Sequence, residues 1–155
     1  MKKLIKFAAF LSLFALLSCG FKATNNILYS KFFIENIESS GSKKIDFFVT
    51  QGLKNKLSNK EAINKITLKI TNEAERKINE KNIQNKITKY EIILNTDVNI
   101  IFLNNLESKN IKVSSKGIYN VETAHIDTKS NRQNLEKFLV NKNIEQILKE
   151  LINLK

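Results

Sequence analysis

Residues 92–102 read IILNTDVNIIF. Ile92, Leu94, Thr96, Val98, Ile100 and Phe102 occupy one set of alternate positions, and Asn95, Asp97 and Asn99 fall in the other. A side-chain period of two is the mark of a strand with one buried and one wet face. A helix would spread these six residues around its axis. A strand of this kind needs neighbours, and the flanking sequence supplies them. Ile66, Leu68 and Ile70 alternate with Thr67 and Lys69. Ile111, Val113, Ser115, Gly117 and Tyr119 repeat the period after Asn104-Asn105 and a turn expected near Glu107–Asn110. The last two runs form an antiparallel hairpin. The polar stretch NEAERKINEKNIQN continues the earlier strand and turns around Asn79–Asn82.

Two helices frame these three strands. In KKIDFFVTQGLKNKLSNK, Ile45, Phe48, Val49, Leu53 and Leu57 recur at steps of three and four, which makes one apolar helical face. Ser42 is placed to cap that helix. Gly52 costs about 1 kcal/mol there against Ala, and the expected return is close packing against a sheet. Ser130-Asn131-Arg132-Gln133 matches a capping box, from which a long helix runs to the C-terminus. Its stripe is Leu135, Phe138, Leu139, Ile144, Ile147, Leu148, Leu151 and Leu154. Ahead of the first helix, Tyr29–Ile37 (YSKFFIENI) reads as a strand, followed by a loop over Glu38–Ser42. The order β-α-β-β-β-α predicts an α+β two-layer sandwich, with an antiparallel-rich four-stranded sheet and two helices on one face.

The N-terminus has another character. MKKLIKFAAFLSLFALLSCG sets three lysines before a short apolar run, the plan of a secretory signal peptide. The run is shorter than the roughly 20 residues of a membrane span. Leu16-Leu17-Ser18-Cys19 resembles the bacterial lipobox, and Cys19 is the only cysteine in the chain. With no partner for a disulfide or a metal, its expected role is lipidation. One acyl chain holds a protein to a bilayer only marginally, whereas several on one residue anchor it durably. Residues 1–18 then form a removed signal, 19–28 the lipidated cysteine and a tether, and 29–155 a single domain. Gly20, where Asp would favour inner-membrane retention, favours the outer membrane.

Lys2, Lys3 and Lys6 leave with such a signal, which takes the formal charge from +11 to +8. A basic surface suits an anionic lipid or glycolipid. Nucleic acid is not expected as a partner of an exported chain. The charge comes from 24 lysines and only two arginines, Arg76 and Arg132. Arginine is the side chain suited to bidentate phosphate recognition. Compositional bias toward Lys, Asn and Ile accounts for the charge equally well. Arg76, Lys77, Lys81 and Lys86 gather in the polar turn after the second strand and are the candidate anion-binding group. Lys109, Lys112 and Lys116 gather at the next hairpin, with Lys112 and Lys116 on one face.

Catalytic motifs are missing from the sequence. His125 is the single histidine, in the loop expected before the last helix, with Asp127 two residues on. A lone histidine cannot build a zinc site. There is no G-x-S-x-G, no phosphate-cradling glycine loop and no HExxH. The expectation is a binding protein with no cofactor, no metal and no enzymatic activity. A small envelope hydrolase using His125 and Asp127 is the competing reading.

The mature start Cys19-Gly20-Phe21-Lys22 is similar to the C-G-F-(R/K/H) start of the LPS-assembly lipoprotein family LptE, also called RlpB. Gln51-Gly52-Leu53-Lys54-Asn55-Lys56-Leu57 is similar to its Q-x-L-(R/K)-N-x-L helix. Gly117-Ile118-Tyr119-Asn120-Val121 looks like the x-x-Y-N-V segment closing the last strand in alphaproteobacterial members. The Pro-Leu-Tyr that usually follows C-G-F is replaced by Ala23-Thr24-Asn25-Asn26-Ile27-Leu28-Tyr29. The resemblance implies a sheet with two packed helices and an outer-membrane lipoprotein that plugs the LptD β-barrel. Such a protein supports barrel assembly and contacts lipopolysaccharide on its way to the outer leaflet. It also implies that the basic loop residues face lipid phosphates. Another tethered module, such as an auxiliary lipoprotein of a lipid-transport system or a pilotin, is the alternative.

Overall fold

A computed structural model describes residues 31–154. The expected signal peptide, Cys19, the expected tether and Tyr29-Ser30 of the expected first strand lie outside the described residues. The elements are β1 (Phe32–Gly41), α1 (Lys43–Lys56), β2 (Asn64–Lys81), β3 (Ile87–Phe102), β4 (Ser108–Asn120) and α2 (His125–Asn153). The order is β-α-β-β-β-α, as the periodicities predict.

The sheet order is β1-β2-β3-β4. β1 runs parallel to β2, which its α1 crossover requires, and the other two pairings are antiparallel. The alternation read in the sequence is carried across the register. Ile70, Val98 and Ile111 stand on one rung, and Leu68 and Ile100 on the next. These residues are buried, with Ile66, Leu94 and Val113, on one face of the sheet. Ile45, Val49 and Leu53 from α1 meet them there, as do Leu139, Ile147, Leu148 and Leu151 from α2. On the other face, which carries no helix among the described residues, the odd-numbered residues of β2 are polar, while Ile87, Ile93 and Ile101 of β3 stand half-buried among Asn95, Asp97 and Asn99.

The helices touch through Gly52. A methyl group at that position would collide with Cδ1 of Ile144 on α2. The glycine therefore brings α1 against a helix, where the sequence predicts a sheet. A short chain of polar groups crosses the core beside this contact. Asn72 Nδ2 donates to Asp46 Oδ1 at 2.8 Å, and Thr96 Oγ1 donates to Asn72 Oδ1 at 2.9 Å. Asn143 Nδ2 donates to Thr96 Oγ1 and to the Leu94 carbonyl, each at 3.1 Å. Asn143 Oδ1 is buried with no hydrogen-bond partner.

Several boundaries differ from the sequence reading. β1 runs on through Glu38–Gly41 because Ser39 and Ser40 pair with Ile70 and Thr71 of β2. A neighbouring strand supplies the ladder that weak strand formers do not specify alone. The turn expected at Asn79–Asn82 lies at Asn82–Lys86, closed by Asn82 Oδ1 accepting from the Gln84 and Lys86 amides. The turn expected near Glu107–Asn110 precedes Ser108, where β4 begins. Ser42 stands at the N-cap of α1 without a side-chain cap bond. α2 begins at His125, five residues before the expected capping box, so Ser130 lies within the helix. Thr128 Oγ1 accepts the Glu122 amide at 2.8 Å and ties down the approach, and Asp127 complements the first turn. Phe138 is 61% exposed. The buried stripe of α2 keeps the expected Leu139, Ile144, Ile147, Leu148 and Leu151 and takes in Val140 and Asn143 in place of Phe138.

Candidate functional site

Strand length places the site. β2 has 18 residues, about 60 Å at 3.3 Å per residue. The 14 residues of α1 cover about 21 Å at 1.5 Å per residue. α1 starts where Gly41 pairs with Asn72, so β2 projects well past it, and everything on β2 beyond Asn72 is exposed. Gly41 allows this close exit. Its φ is +126°, and a side chain there would strike the Asn72 carbonyl.

The four candidate cations all lie on this projecting hairpin, but they do not converge. Alternation puts Arg76 on the helix side and Lys77 on the bare face. Arg76 lies 4.6 Å above the Tyr90 ring, and Tyr90 stacks on buried Tyr119 at 5.7 Å. Lys77 pairs with Glu75 at 3.1 Å. Lys81 Nζ donates to Asn85 Oδ1 at 3.0 Å across the turn, and Lys86 lies within that turn. Glu80 is taken by Lys89 at 2.6 Å and Thr88 at 3.0 Å, and these bonds hold its carboxyl below the usual range. On the bare face, Lys112 and Lys116 do share a side, facing Asp97 at 3.4 Å and Glu91 at 4.0 Å. Exposed pairs of this sort contribute little.

A better-formed site lies where the projecting sheet leaves the helices. A groove of about 670 Å³ is lined by Ser42, Lys44, Asn72, Arg76, Ile92, Arg132 and Glu136, among others. The only two arginines of the chain meet here. Gly117 helps to build the groove: on the rung of Arg76 and Ile92, it leaves room for Leu135 of α2 to come down on the sheet. Arg132 lies one turn before Leu135. Arg132 Nε donates to Glu136 Oε1 at 2.7 Å, and Lys44 Nζ donates to Oε2 at 3.0 Å. Burial pushes the Glu136 carboxyl up, but the bonds from Arg132 and Lys44 outweigh it and leave the group below its usual range. The bond to Glu136 raises the Arg132 guanidinium in turn, against some burial. Arg76 forms no ion pair among the described residues. Its stacked guanidinium is therefore the cation left to meet an anion from outside.

Sequence reasoning identified Arg76 but missed Arg132 and Lys44, which reach the groove from other elements. Arginine scarcity was the available signal, since two arginines among 24 lysines invite the question of whether they meet. His125 and Asp127 are exposed in the first turn of α2, with no hydrogen bond between them. No group of His, Cys, Asp and Glu able to hold a metal occurs among the described residues. Among them, too, no helix is long and apolar enough to cross a membrane.

No protein-family profile matches the chain, and no curated protein matches it in sequence. Solved structures do share the fold. The crystal structure of the rare lipoprotein B from Shewanella oneidensis matches with a TM-score of 0.57 at 18% identity, covering 77% of this chain and 95% of that one. A putative lipoprotein from Caulobacter crescentus matches with a TM-score of 0.58 at 10% identity, covering 83% and 93%. An uncharacterized lipoprotein B from Nitrosomonas europaea gives 0.56 at 13% identity, covering 87% and 92%.

Proposed function

We propose that this chain is an outer-membrane lipoprotein of the LptE type, anchored through Cys19, which plugs an LptD-like β-barrel and assists its assembly and the passage of lipopolysaccharide. The observation that carries this reading is the fold. The β-α-β-β-β-α chain matches the fold of a rare lipoprotein B over 95% of that protein. Two of the motifs quoted for the resemblance lie within the described residues and contribute to the core. Leu53 and Leu57 of the Q-x-L helix are buried against the sheet, and Tyr119 of Y-N-V is buried at the end of β4. The proposed role is binding rather than catalysis. The hairpin cations Arg76, Lys77, Lys81 and Lys86 are the proposed contacts for lipopolysaccharide phosphates, with Arg76 in the lead.

The test is purification of the lipidated protein from its native membrane in mild detergent, with mass spectrometry of its companions. A large outer-membrane β-barrel at one-to-one stoichiometry supports the proposal. Recovery alone, or with inner-membrane transport subunits, overturns it in favour of a different tethered module.

A further inference from the structure

The two ends of the sheet carry different surfaces. β1 and β2 start together, where Phe32 pairs with Asn64, and β3 finishes beside them, where Ile66 pairs with Phe102. The N-terminal segment therefore joins the domain at this end. Three aliphatic side chains stand out of it: Ile63 is 81% exposed, Leu106 78% and Leu103 39%. Backbone bonds hold their segments together. The Leu103 amide donates to the Lys65 carbonyl at 2.9 Å, and the Asn64 amide to the Lys31 carbonyl at 3.1 Å. The Asn104 side chain donates to the Ile63 carbonyl at 2.9 Å. Leu106 adopts a φ of +57°, in the left-handed region. Gly or Asn is the usual residue there, and Asn85 and Gly41 take the other positive-φ positions among the described residues. A leucine kept in that conformation, and kept in water, is costly twice over.

We propose that this end is a membrane-contacting surface. Ile63, Leu103 and Leu106 enter the headgroup–acyl boundary of the bilayer that holds the anchor, with Lys31, Lys60 and Lys65 at the phosphate level. The proposal rests on the anchored reading. Eleven residues lie between Cys19 and Lys31, so the two are at most about 40 Å apart when that segment is fully extended. An anchor at Cys19 thus tethers this end directly to the lipid, whereas the opposite hairpin is tethered only through the whole length of the sheet. Lys31, Lys60 and Lys65 outnumber Glu61 and Glu107 nearby, a balance that suits anionic headgroups.

The experiment uses the full lipidated chain in vesicles of phosphatidylethanolamine and phosphatidylglycerol. A nitrobenzoxadiazole dye is placed on Asn105→Cys or, at the opposite tip, on Gln84→Cys; mass spectrometry confirms acylation of Cys19. The expected result is blue-shifted emission at position 105, quenched by bromine-labelled acyl chains, with water-like emission at 84. Adding Ile63→Ser, Leu103→Ser and Leu106→Ser should return position 105 to water-like emission. Water-like emission at 105 on acylated protein overturns the membrane contact alone. Absence of acyl mass on Cys19 overturns the anchored reading, and this proposal with it.

Discussion

The half of the sheet under the helices and the half that projects beyond them come from the same strands, yet they are built on different principles. Up to Asn72, β2 buries every second residue: Ile66, Leu68 and Ile70 have hydrocarbon above them. Beyond Asn72 the strand keeps its pairing with β3 for nine more residues, through Lys81, and buries nothing. Backbone hydrogen bonds and stacking hold the projecting half: Arg76 over Tyr90, and Tyr90 over Tyr119. A net hydrogen bond contributes about 0.5–1.5 kcal/mol, and a buried Leu or Ile about 1.5–3 kcal/mol. The covered half therefore carries the stability. The projecting half is free to change its surface for binding.

Substitutions can test that division. The largest effect is expected from Leu68→Ala or Leu148→Ala in the covered half, a loss of about 3 kcal/mol in denaturant unfolding. Ile78→Ala on the projecting hairpin should cost about 0.5 kcal/mol or less. Comparable losses would show that the hairpin is packed against something within the molecule. Thr96→Val removes the middle of the buried polar chain, leaving Asn72 Oδ1 and Asn143 Nδ2 short of a partner. The expected cost is about 1–2 kcal/mol by the same measurement.

At the boundary between the halves, Glu136 sets a pH dependence. Its folded-state pKa lies below its unfolded value. The stabilisation is thus present above the unfolded carboxylate pKa, about 4.3, and is lost as pH falls through the lower folded value. Glu136→Gln should flatten that acid limb of the stability profile while leaving the neutral plateau only slightly lowered. An unchanged limb would assign it to other carboxylates. A further small effect has the opposite sign. Leu106→Asn relieves a strained conformation and should stabilise the domain by about 0.5 kcal/mol, while weakening contact with vesicles. A destabilised variant would mean that Leu106 packs where it appears exposed.

The repeating elements were the most legible. The period of two in Ile92–Phe102 places β3 correctly, and Leu53, Leu57, Ile147, Leu148 and Leu151 mark the helical faces that are in fact buried. What failed were ends and neighbours. Ser39 and Ser40 look like loop residues until Ile70 and Thr71 lie beside them. Ser130 looks like a cap, although nothing between His125 and Ser130 prevents an earlier helical turn. Phe138 looks like core because hydrophobicity alone does not say how far a helix is rotated. At the candidate site, Arg76 was visible as part of a local charge cluster. Its meeting with Arg132 was not, because the two are brought together by the crossing of α2 over β4.

The sequence by itself determined which stretches are strands and helices, which face of each is apolar, and that a lone cysteine follows a basic and then apolar N-terminal run. These properties are local, written in the spacing of side chains along a few turns or pleats. Tertiary structure decided that β1 lies parallel to β2, that Gly52 meets a helix, that both arginines share a groove, and that the exposed leucines stand at the end where the N-terminal segment enters. Each of these depends on residues far apart in the chain being packed at one distance, and only the closing of the core sets that distance.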